Sequence, residues 1–285
     1  MLRVLGPGLV TGAADDDPSG IATHTQSGAQ YGFLTLWTVV FTLPLMISVQ
    51  EACMRIGAVT GKGLAAVVRE TYSRKILYPV VLLAVGANTI NIGSDIGAMA
   101  GSLALLIPAV PVVVLAIAFA LIIVALEIFV SYRVYIRVLK WLAIALFAYV
   151  ITAFIVGVPW NVALLATITP HIELTPQFLY LLVAILGTTI SPYLFFWQTS
   201  NVVEDEIAEK RVPADGGPPR ISAGYLRRLR IDTALGMFFA NLIAWFIMLV
   251  GAVVLNAGGI TEITSAADAA AALRPLVNSF PNSGV

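Results

Sequence analysis

The chain has 285 residues and no formal net charge, and it is 59% hydrophobic but only 11% charged. Several apolar runs reach the roughly 20 residues that a helix needs to cross a bilayer, which indicates an all-α polytopic membrane protein. The balanced charge gives no sign of a nucleic-acid partner, and the single Cys53 excludes a disulfide framework or a metal site built from cysteines.

The apolar runs predict seven membrane spans in chain order, of which the first and the sixth are interrupted. Only the loop after the sixth span is long and polar. The predicted spans are residues 5–31, 33–54, 77–106, 110–130, 135–157, 174–200 and 229–256.

The positively charged residues lie in alternate loops. Fourteen of the 16 Lys and Arg residues follow the second, fourth or sixth span. Because cytoplasmic loops hold the excess of Lys and Arg, this alternation predicts a cytoplasmic N-terminus. We expect a multi-pass protein of a plasma membrane, the inner membrane of a bacterium.

The interrupted spans each contain a proline in a stretch that forms helix poorly. In the first, Pro18 precedes Ser19 and Gly20, and in the sixth, Pro192 lies within "GTTISPYLFFW". Irregular backbone survives at membrane depth only where protein or a water-filled cavity satisfies it, and paired interrupted spans indicate a transporter's substrate site. The alternative is two ordinary proline kinks.

Three consecutive aspartates, Asp15, Asp16 and Asp17, come directly before the first of these prolines. A carboxylate at the bilayer centre costs about 2.5–3.5 kcal/mol on insertion scales, so these side chains need a compensating partner. Asp17, at the break itself, is best placed to join a hydroxyl and freed carbonyls around a hard cation. Asp15 and Asp16 either ligate the ion or attract it as solvated charge in a vestibule.

The third span carries a polar stripe and a glycine ridge. Asn88, Asn91 and Asp95 lie at positions i, i+3 and i+7, and we interpret Asn91 and Asp95 as lining the ion pathway. A hydrogen-bonded structural role is the alternative. Glycine at every fourth residue of 93–101 predicts a face that packs closely against another helix.

The remaining polar residues form no motif of an enzyme or of an ATP-driven pump. Glu51 lies one turn before Arg55, as in an interfacial ion pair. His24 and His171 lack metal-ligand spacing to another His or Cys, and no phosphate-binding GxxxxGK[ST] occurs. We therefore expect neither a resident cofactor nor enzymatic activity.

Four of these stretches together resemble the NRAMP (natural resistance-associated macrophage protein) family of divalent metal transporters. "GPGLVTGAADDDPSGIATHTQSGAQYGFLTLW" is similar to the family's first-span block, and "QEACMRIGAVTGKGLA" to its second-span signature, the most specific match. "IGSDIGAMAG" and "GTTISPYLFFW" fall at the family's acidic third-span motif and its Met-Pro-His motif. The resemblance covers the whole chain.

The resemblance implies the leucine-transporter-type fold, with metal bound between the broken first and sixth helices. It divides the chain into a first five-helix repeat, 1–158, and the first part of a second inverted repeat, 159–285. The implied metal-site positions are Asp17, Gly20, Thr188 and Ser191.

Several residues at these motifs depart from the family pattern. Gly20 replaces an asparagine, Ser191 replaces the metal-binding methionine, and Tyr193, which we expect to line the ion pathway, replaces the following histidine. Asp95 matches an acidic residue of the proton pathway, whose second acidic position is Ala98. Loss of the thioether favours a harder, partly hydrated ion such as Mg²⁺, as in the divergent NRAMP-related magnesium-transporter branch. Loss of titratable groups argues against proton coupling.

The predicted function is therefore secondary transport of Mg²⁺ or Mn²⁺ by alternating access, with the metal ion and the lipid bilayer as partners. Alternatives are a proton-coupled Mn²⁺/Fe²⁺ transporter, an organic-solute or Na⁺ carrier of the same fold, and a membrane-embedded enzyme with paired aspartates. Against the enzyme stands the lack of a nucleophile–base pair. Since the family has ten or eleven spans and this sequence seven, we expect a C-terminally truncated chain, and a fragment that does not transport is a further alternative.

Overall fold

The computed structural model describes residues 11–12, 14–130, 134, 143–212, 219–261 and 263, and the structural statements below concern these residues. The beginnings of the predicted first and fifth spans lie outside them. All regular structure in this part of the chain is helical, as the sequence predicts.

Ten α-helices have both ends within the described residues. They are α1 (Pro18–Tyr31), α2 (Trp37–Thr60), α3 (Leu64–Thr71), α4 (Arg74–Leu106), α5 (Val112–Phe129), α6 (Phe147–Ile155), α7 (Trp160–Ile168), α8 (Pro176–Thr189), α9 (Pro192–Ala208) and α10 (Ala223–Val250). A 3₁₀ turn, Ala143–Leu146, leads into α6, and a π-helix, Gly251–Asn256, continues α10.

Five segments of the described chain are long and apolar enough to cross a membrane. They are Trp37–Thr60, Arg74–Ala104, Val112–Phe129, Pro176–Ala208 and Ala223–Asn256, and they correspond to the predicted second, third, fourth, sixth and seventh spans. A sixth is obtained if Ile144–Ile155 and Trp160–Ile168, bent by 120° at their break, count as one span. A loop was predicted where α7 lies, and Pro159 is the N-cap of this helix.

Both predicted helix breaks are present. Residues 14 and 15 are helical, the helix stops at Asp16, and α1 begins at Pro18. In the sixth span α8 ends at Thr189 and α9 begins at Pro192. A proline in the first helical turn is favoured because its missing N–H would have no partner there.

The described helices cluster into two compact units, each assembled from separate parts of the sequence. The first unit comprises Met1–Asp15, Leu43–Ile90 and Ile190–Ala240, and the second comprises Asp16–Thr42, Asn91–Thr189 and Asn241–Val285. This grouping does not test the boundary between repeats at residue 158, which stays a prediction.

The second unit has a core around α1, α6, α8 and the end of α10. Helix α1 packs along the π-helix and against α8, where the rings of Tyr31 and Phe178 meet edge to face at 5.0 Å. Fully buried side chains of this unit include Leu36, Ile185, Ile247, Met248, Leu249 and Leu255.

Two backbones touch directly where α1 crosses the π-helix. A Cβ on Gly28 would lie 2.1 Å from the Met248 carbonyl oxygen, and one on Gly251 would lie 2.8 Å from that of Thr25. The Asn256 amide adds a 2.8 Å hydrogen bond to the Ala29 carbonyl. Glycine is thus required for this helix contact.

The glycine ridge predicted on the third span makes no comparable close contact among the described residues. No described residue lies within 4 Å of the position that a Cβ would take at Gly93, Gly97 or Gly101. The close packing predicted for this face is therefore not present among the described residues.

The first unit is held by an apolar cluster and a buried polar chain. Met54 and Ala58 of α2 pack against Val202 of α9 and Tyr225 and Leu229 of α10. Beside them the Thr11 hydroxyl donates to Gln198, whose amide donates in turn to Thr233 at 3.1 Å. All three polar side chains are fully buried or nearly so.

Candidate cation site

The first break is shaped by the side chain of Asp17. Asp17 is the N-cap of α1, with φ −71° and ψ 170°, and its Oδ1 accepts from the Gly20 N–H at 2.8 Å. The Ser19 hydroxyl lies 2.7 Å from the same oxygen. Aspartate is a preferred N-cap because it satisfies amides that the first turn leaves without a partner, and a negative charge is favoured there.

Helix α4 brings a second helix to this carboxylate. The Asn91 amide donates to Asp17 Oδ2 at 2.9 Å and lies 3.5 Å from Oδ2 of Asp95, one turn further along α4. Asn91 Oδ1 lies 2.8 Å from the Ser19 hydroxyl. The structure thus brings together four predicted site residues of the second unit, Asp17, Gly20, Asn91 and Asp95.

Two carboxylates therefore face one amide group. Asp95 Oδ1 is buried and has no hydrogen-bond partner among the described residues. Among the described residues, no lysine or arginine forms an ion pair with Asp95. Like charges at such spacing repel, and a cation among them relieves the repulsion.

Asp15 and Asp16 lie on either side of the end of the first helical segment. Their exposed fractions are 6% and 7%, so both are buried within the described chain. Their role in attracting or binding the ion stays a prediction.

The sixth span places its predicted residues around the second break. Thr188 lies in the last turn of α8, in the second unit, and Ser191 is the buried N-cap of α9, in the first unit. The Ser191 side chain makes no capping hydrogen bond to α9. The participation of both residues in metal binding stays a prediction.

Tyr193 contacts the backbone within the first unit. Its hydroxyl donates to the Ala14 carbonyl at 2.9 Å. Carbonyls at a helix end lack partners within the helix, so this bond satisfies one that the first break releases.

Sequence reasoning missed two polar residues that the structure places in networks. Ser19 was predicted only as part of the helix break, yet it contacts both Asp17 and Asn91; a hydroxyl two residues after an N-cap aspartate was the available signal. Gln198, a lone amide in the apolar part of α9, joins Thr11 and Thr233 in the first unit. The predicted pair of Glu51 and Arg55 is present, and Arg230 joins it at 3.1 Å.

The donors around the first break are of the kind that hard cations bind. Oxygen atoms from carboxylate, hydroxyl and amide groups are the ligands that Mg²⁺ and Mn²⁺ prefer. Within the described residues, no group of three or more His, Cys, Asp or Glu side chains converges as it would for a resident metal ion.

Known proteins resemble the chain over most of its length. The family model for natural resistance-associated macrophage protein-like proteins matches residues 8–282. The chain is 28% identical to the divalent metal cation transporter MntH of Verminephrobacter eiseniae, over 88% of this chain and 56% of that protein. It is 29% identical to MntH 1 of Pseudomonas aeruginosa, over 96% of this chain and 61% of that protein.

A solved structure confirms the fold. The crystal structure of the Eremococcus coleocola manganese transporter, in complex with an aromatic bis-isothiourea substituted compound, matches with a TM-score of 0.74 at 18% identity. The match covers 97% of this chain and 62% of that one, so the chain spans about three fifths of the length of such proteins. The fold is the all-α, leucine-transporter-type membrane fold that the resemblance implied. The chain belongs to the natural resistance-associated macrophage protein-like family.

Proposed function

We propose that the chain is part of a secondary transporter that moves divalent metal cations, Mg²⁺ or Mn²⁺, across a membrane by alternating access. Asp17 is its main anionic ligand, and Thr188 and Ser191 complete the site with a backbone carbonyl and a hydroxyl. Gly20 leaves room for a water of the ion's hydration shell. The protein is a multi-pass protein of a bacterial inner membrane with a cytoplasmic N-terminus.

The observation that carries this proposal is the set of contacts around the Asp17 carboxylate. It lies at a helix break, its Oδ1 is used by the cap, and its Oδ2 faces Asn91 and the neighbouring Asp95 of α4. A carboxylate whose only role was to cap the start of a helix would need neither a second helix nor a second negative charge beside it. Two carboxylates brought together around one amide at membrane depth are expected where a cation binds.

The choice of ion follows from the type of donor. Serine in place of a thioether and glycine in place of an asparagine favour a hard ion that keeps part of its water, which supports Mg²⁺. Mn²⁺ is supported by the similar fold of a protein described as a manganese transporter. We therefore propose that both ions are carried.

Proton coupling is the second candidate, and one residue favours it. Asp95 is retained next to Asp17, whereas Tyr193 and Ala98 stand where the resemblance places a histidine and a second acidic residue. We propose that transport is not coupled to protons. Asp95 shares the Asn91 amide with the metal ligand Asp17, so the cation itself balances the charge of Asp95.

The test is ion flux into liposomes that contain the protein, with Mg²⁺, Mn²⁺ and Ca²⁺ outside and a pH indicator inside. Wild type is compared with Asp17→Ala and with Glu70→Gln, which removes an exposed carboxylate paired with Lys62. We expect Asp17→Ala to abolish Mg²⁺ and Mn²⁺ flux and Glu70→Gln to leave it unchanged. Unchanged flux in Asp17→Ala would refute the site, and acidification that tracks metal entry would refute uncoupled transport.

A further inference from the structure

The hydroxyl of Ser19 has two acceptors but only one hydrogen. Its oxygen lies 2.7 Å from Asp17 Oδ1 and 2.8 Å from Asn91 Oδ1. A serine hydroxyl donates a single hydrogen bond, so one of these two close oxygen pairs has no hydrogen between its atoms. This orientation of the Asn91 amide therefore leaves one contact of Ser19 unsatisfied.

The opposite orientation of the same amide removes that conflict. With nitrogen and oxygen exchanged, Asn91 Nδ2 would donate to the Ser19 oxygen, while the Ser19 hydrogen would go to Asp17 Oδ1. The Asn91 oxygen would then face Oδ2 of Asp17 and Oδ2 of Asp95, which the nitrogen now contacts at 2.9 and 3.5 Å. Three oxygens at this spacing repel one another unless a cation lies among them.

The oxygen of Asp17 that meets the cation follows from the cap. Oδ1 accepts from Gly20 and lies within hydrogen-bond distance of Ser19, and a carboxylate oxygen accepts about two hydrogen bonds. Oδ1 is thus committed to the helix start, and a cation approaches Oδ2. That oxygen is the one that Asn91 holds.

We propose that Asn91 is a positioning residue for the cation that Asp17 binds, and that its amide turns over when the ion arrives. Without a cation the amide nitrogen orients Asp17 Oδ2 and separates it from Asp95. In the loaded site the nitrogen donates to Ser19, and the amide oxygen faces the ion. This inference rests on the proposed function, because it takes Asp17 as the cation ligand.

The amide can be observed directly by NMR. The chain has eight asparagines, so labelling with [¹⁵N]asparagine gives few side-chain NH₂ pairs in protein held in lipid nanodiscs. The pair that is lost in Asn91→Leu belongs to Asn91, and Asn91→Asp gives the same assignment if the leucine variant does not fold. We expect saturating Mg²⁺ to shift this pair in wild type and not in Asp17→Asn.

Flux kinetics separate positioning from a purely structural role. We expect Asn91→Leu to raise the KM for Mg²⁺ and Mn²⁺ about tenfold, the size of one charge-assisted hydrogen bond, and to change the maximal rate by less than about twofold. The control is Thr89→Val on the same helix, because the Thr89 hydroxyl is exposed and, among the described residues, donates to the Val85 carbonyl of its own helix. This control should match wild type.

The outcomes distinguish this inference from the proposed function. Mg²⁺ binding by calorimetry that survives in Asp17→Asn would overturn the proposed site itself. Binding that is lost in Asp17→Asn while the Asn91 pair does not move in wild type would overturn only the amide reversal. A fall in maximal rate at unchanged KM in Asn91→Leu would make Asn91 structural.

Discussion

The two helix breaks start in the same way but are held differently. In both, an extended N-cap residue precedes a proline: Asp17 has φ −71° and ψ 170°, and Ser191 has φ −75° and ψ 135°. The Asp17 side chain caps its own helix by accepting from Gly20, whereas the Ser191 side chain makes no capping bond. The same backbone shape is thus reached with and without help from the side chain.

This difference explains why a carboxylate suits position 17 and a hydroxyl suits position 191. A carboxylate has two oxygens, so Asp17 can cap α1 through Oδ1 and offer Oδ2 to another partner. A serine has one oxygen, so capping and metal ligation would compete at Ser191. At the second break the fixed φ of Pro192 starts the helix instead.

Substitutions at Asp17 and Ser191 should change metal uptake most. They test whether the negative charge at the first break matters more than the neutral hydroxyl at the second. Asp17→Asn keeps an oxygen for the Gly20 cap but removes the negative charge, so initial Mn²⁺ uptake into liposomes should fall about a hundredfold or more. Ser191→Ala removes one neutral ligand and should reduce uptake less than about tenfold. Equal losses of uptake in the two variants would mean that Asp17 and Ser191 contribute equally to metal binding.

The second prediction compares how the helices after the two breaks are clamped. A Cβ on Gly28 would lie 2.1 Å from the Met248 carbonyl oxygen, whereas one on Gly57 would lie 2.7 Å from that of Thr199 on α9. Gly28→Ala should lower the free energy of unfolding by about 1–3 kcal/mol, and Gly57→Ala by less. Thermal unfolding in detergent measures both.

The control for these glycine variants is Gly187→Ala on α8. Among the described residues outside its own helix, no atom lies within 4 Å of a Cβ at this position. Alanine forms helix better than glycine, so this variant should be neutral or slightly more stable, by less than about 1 kcal/mol. A comparable loss in all three variants would show that the close approaches do not govern stability.

A third change alters the chemistry of the second break alone. Ser191→Met introduces a thioether, which binds softer ions, so the ratio of Mn²⁺ to Mg²⁺ uptake should rise about tenfold. Competition uptake with both ions present measures this ratio directly. Ser191→Ala should leave the ratio near that of wild type, and a rise there too would assign the shift to lost oxygen rather than gained sulfur.

The smallest expected effect concerns the bond between Tyr193 and the Ala14 carbonyl, 2.9 Å long. Tyr193→Phe removes the hydroxyl and keeps the ring, so the free energy of unfolding should fall by about 1 kcal/mol. Metal uptake per folded protein should not change. A loss of uptake at full stability would instead place the hydroxyl in the ion pathway.

Much of the fold follows from the sequence because the bilayer constrains it so strongly. Apolar length identified five described spans, and proline after weak helix formers located both breaks. The α7 helix was missed because nine residues are too few for a span, so "WNVALLATI" was interpreted as loop. The glycine ridge on α4 predicted packing from spacing alone, which does not specify a partner.

The candidate site was predictable in its charges but not in its hydrogen bonds. Asp17 and Asp95 stand out because carboxylates are costly in a membrane. Ser19 did not, because its role depends on a hydroxyl that reaches Asn91 from 72 residues away in sequence. Contacts of that kind are set by how helices pack, and spacing along one helix does not reveal them.

The glycine contact between α1 and the π-helix has a consequence for hydrogen exchange. Where Gly28 and Gly251 meet, backbone lies on backbone, and no flexible side chain lies between them to yield first. Local fraying of α1 therefore requires the π-helix to loosen as well. Deuterium should enter the middle of α1 and the turn Gly251–Asn256 at similar rates, as in one cooperative opening unit.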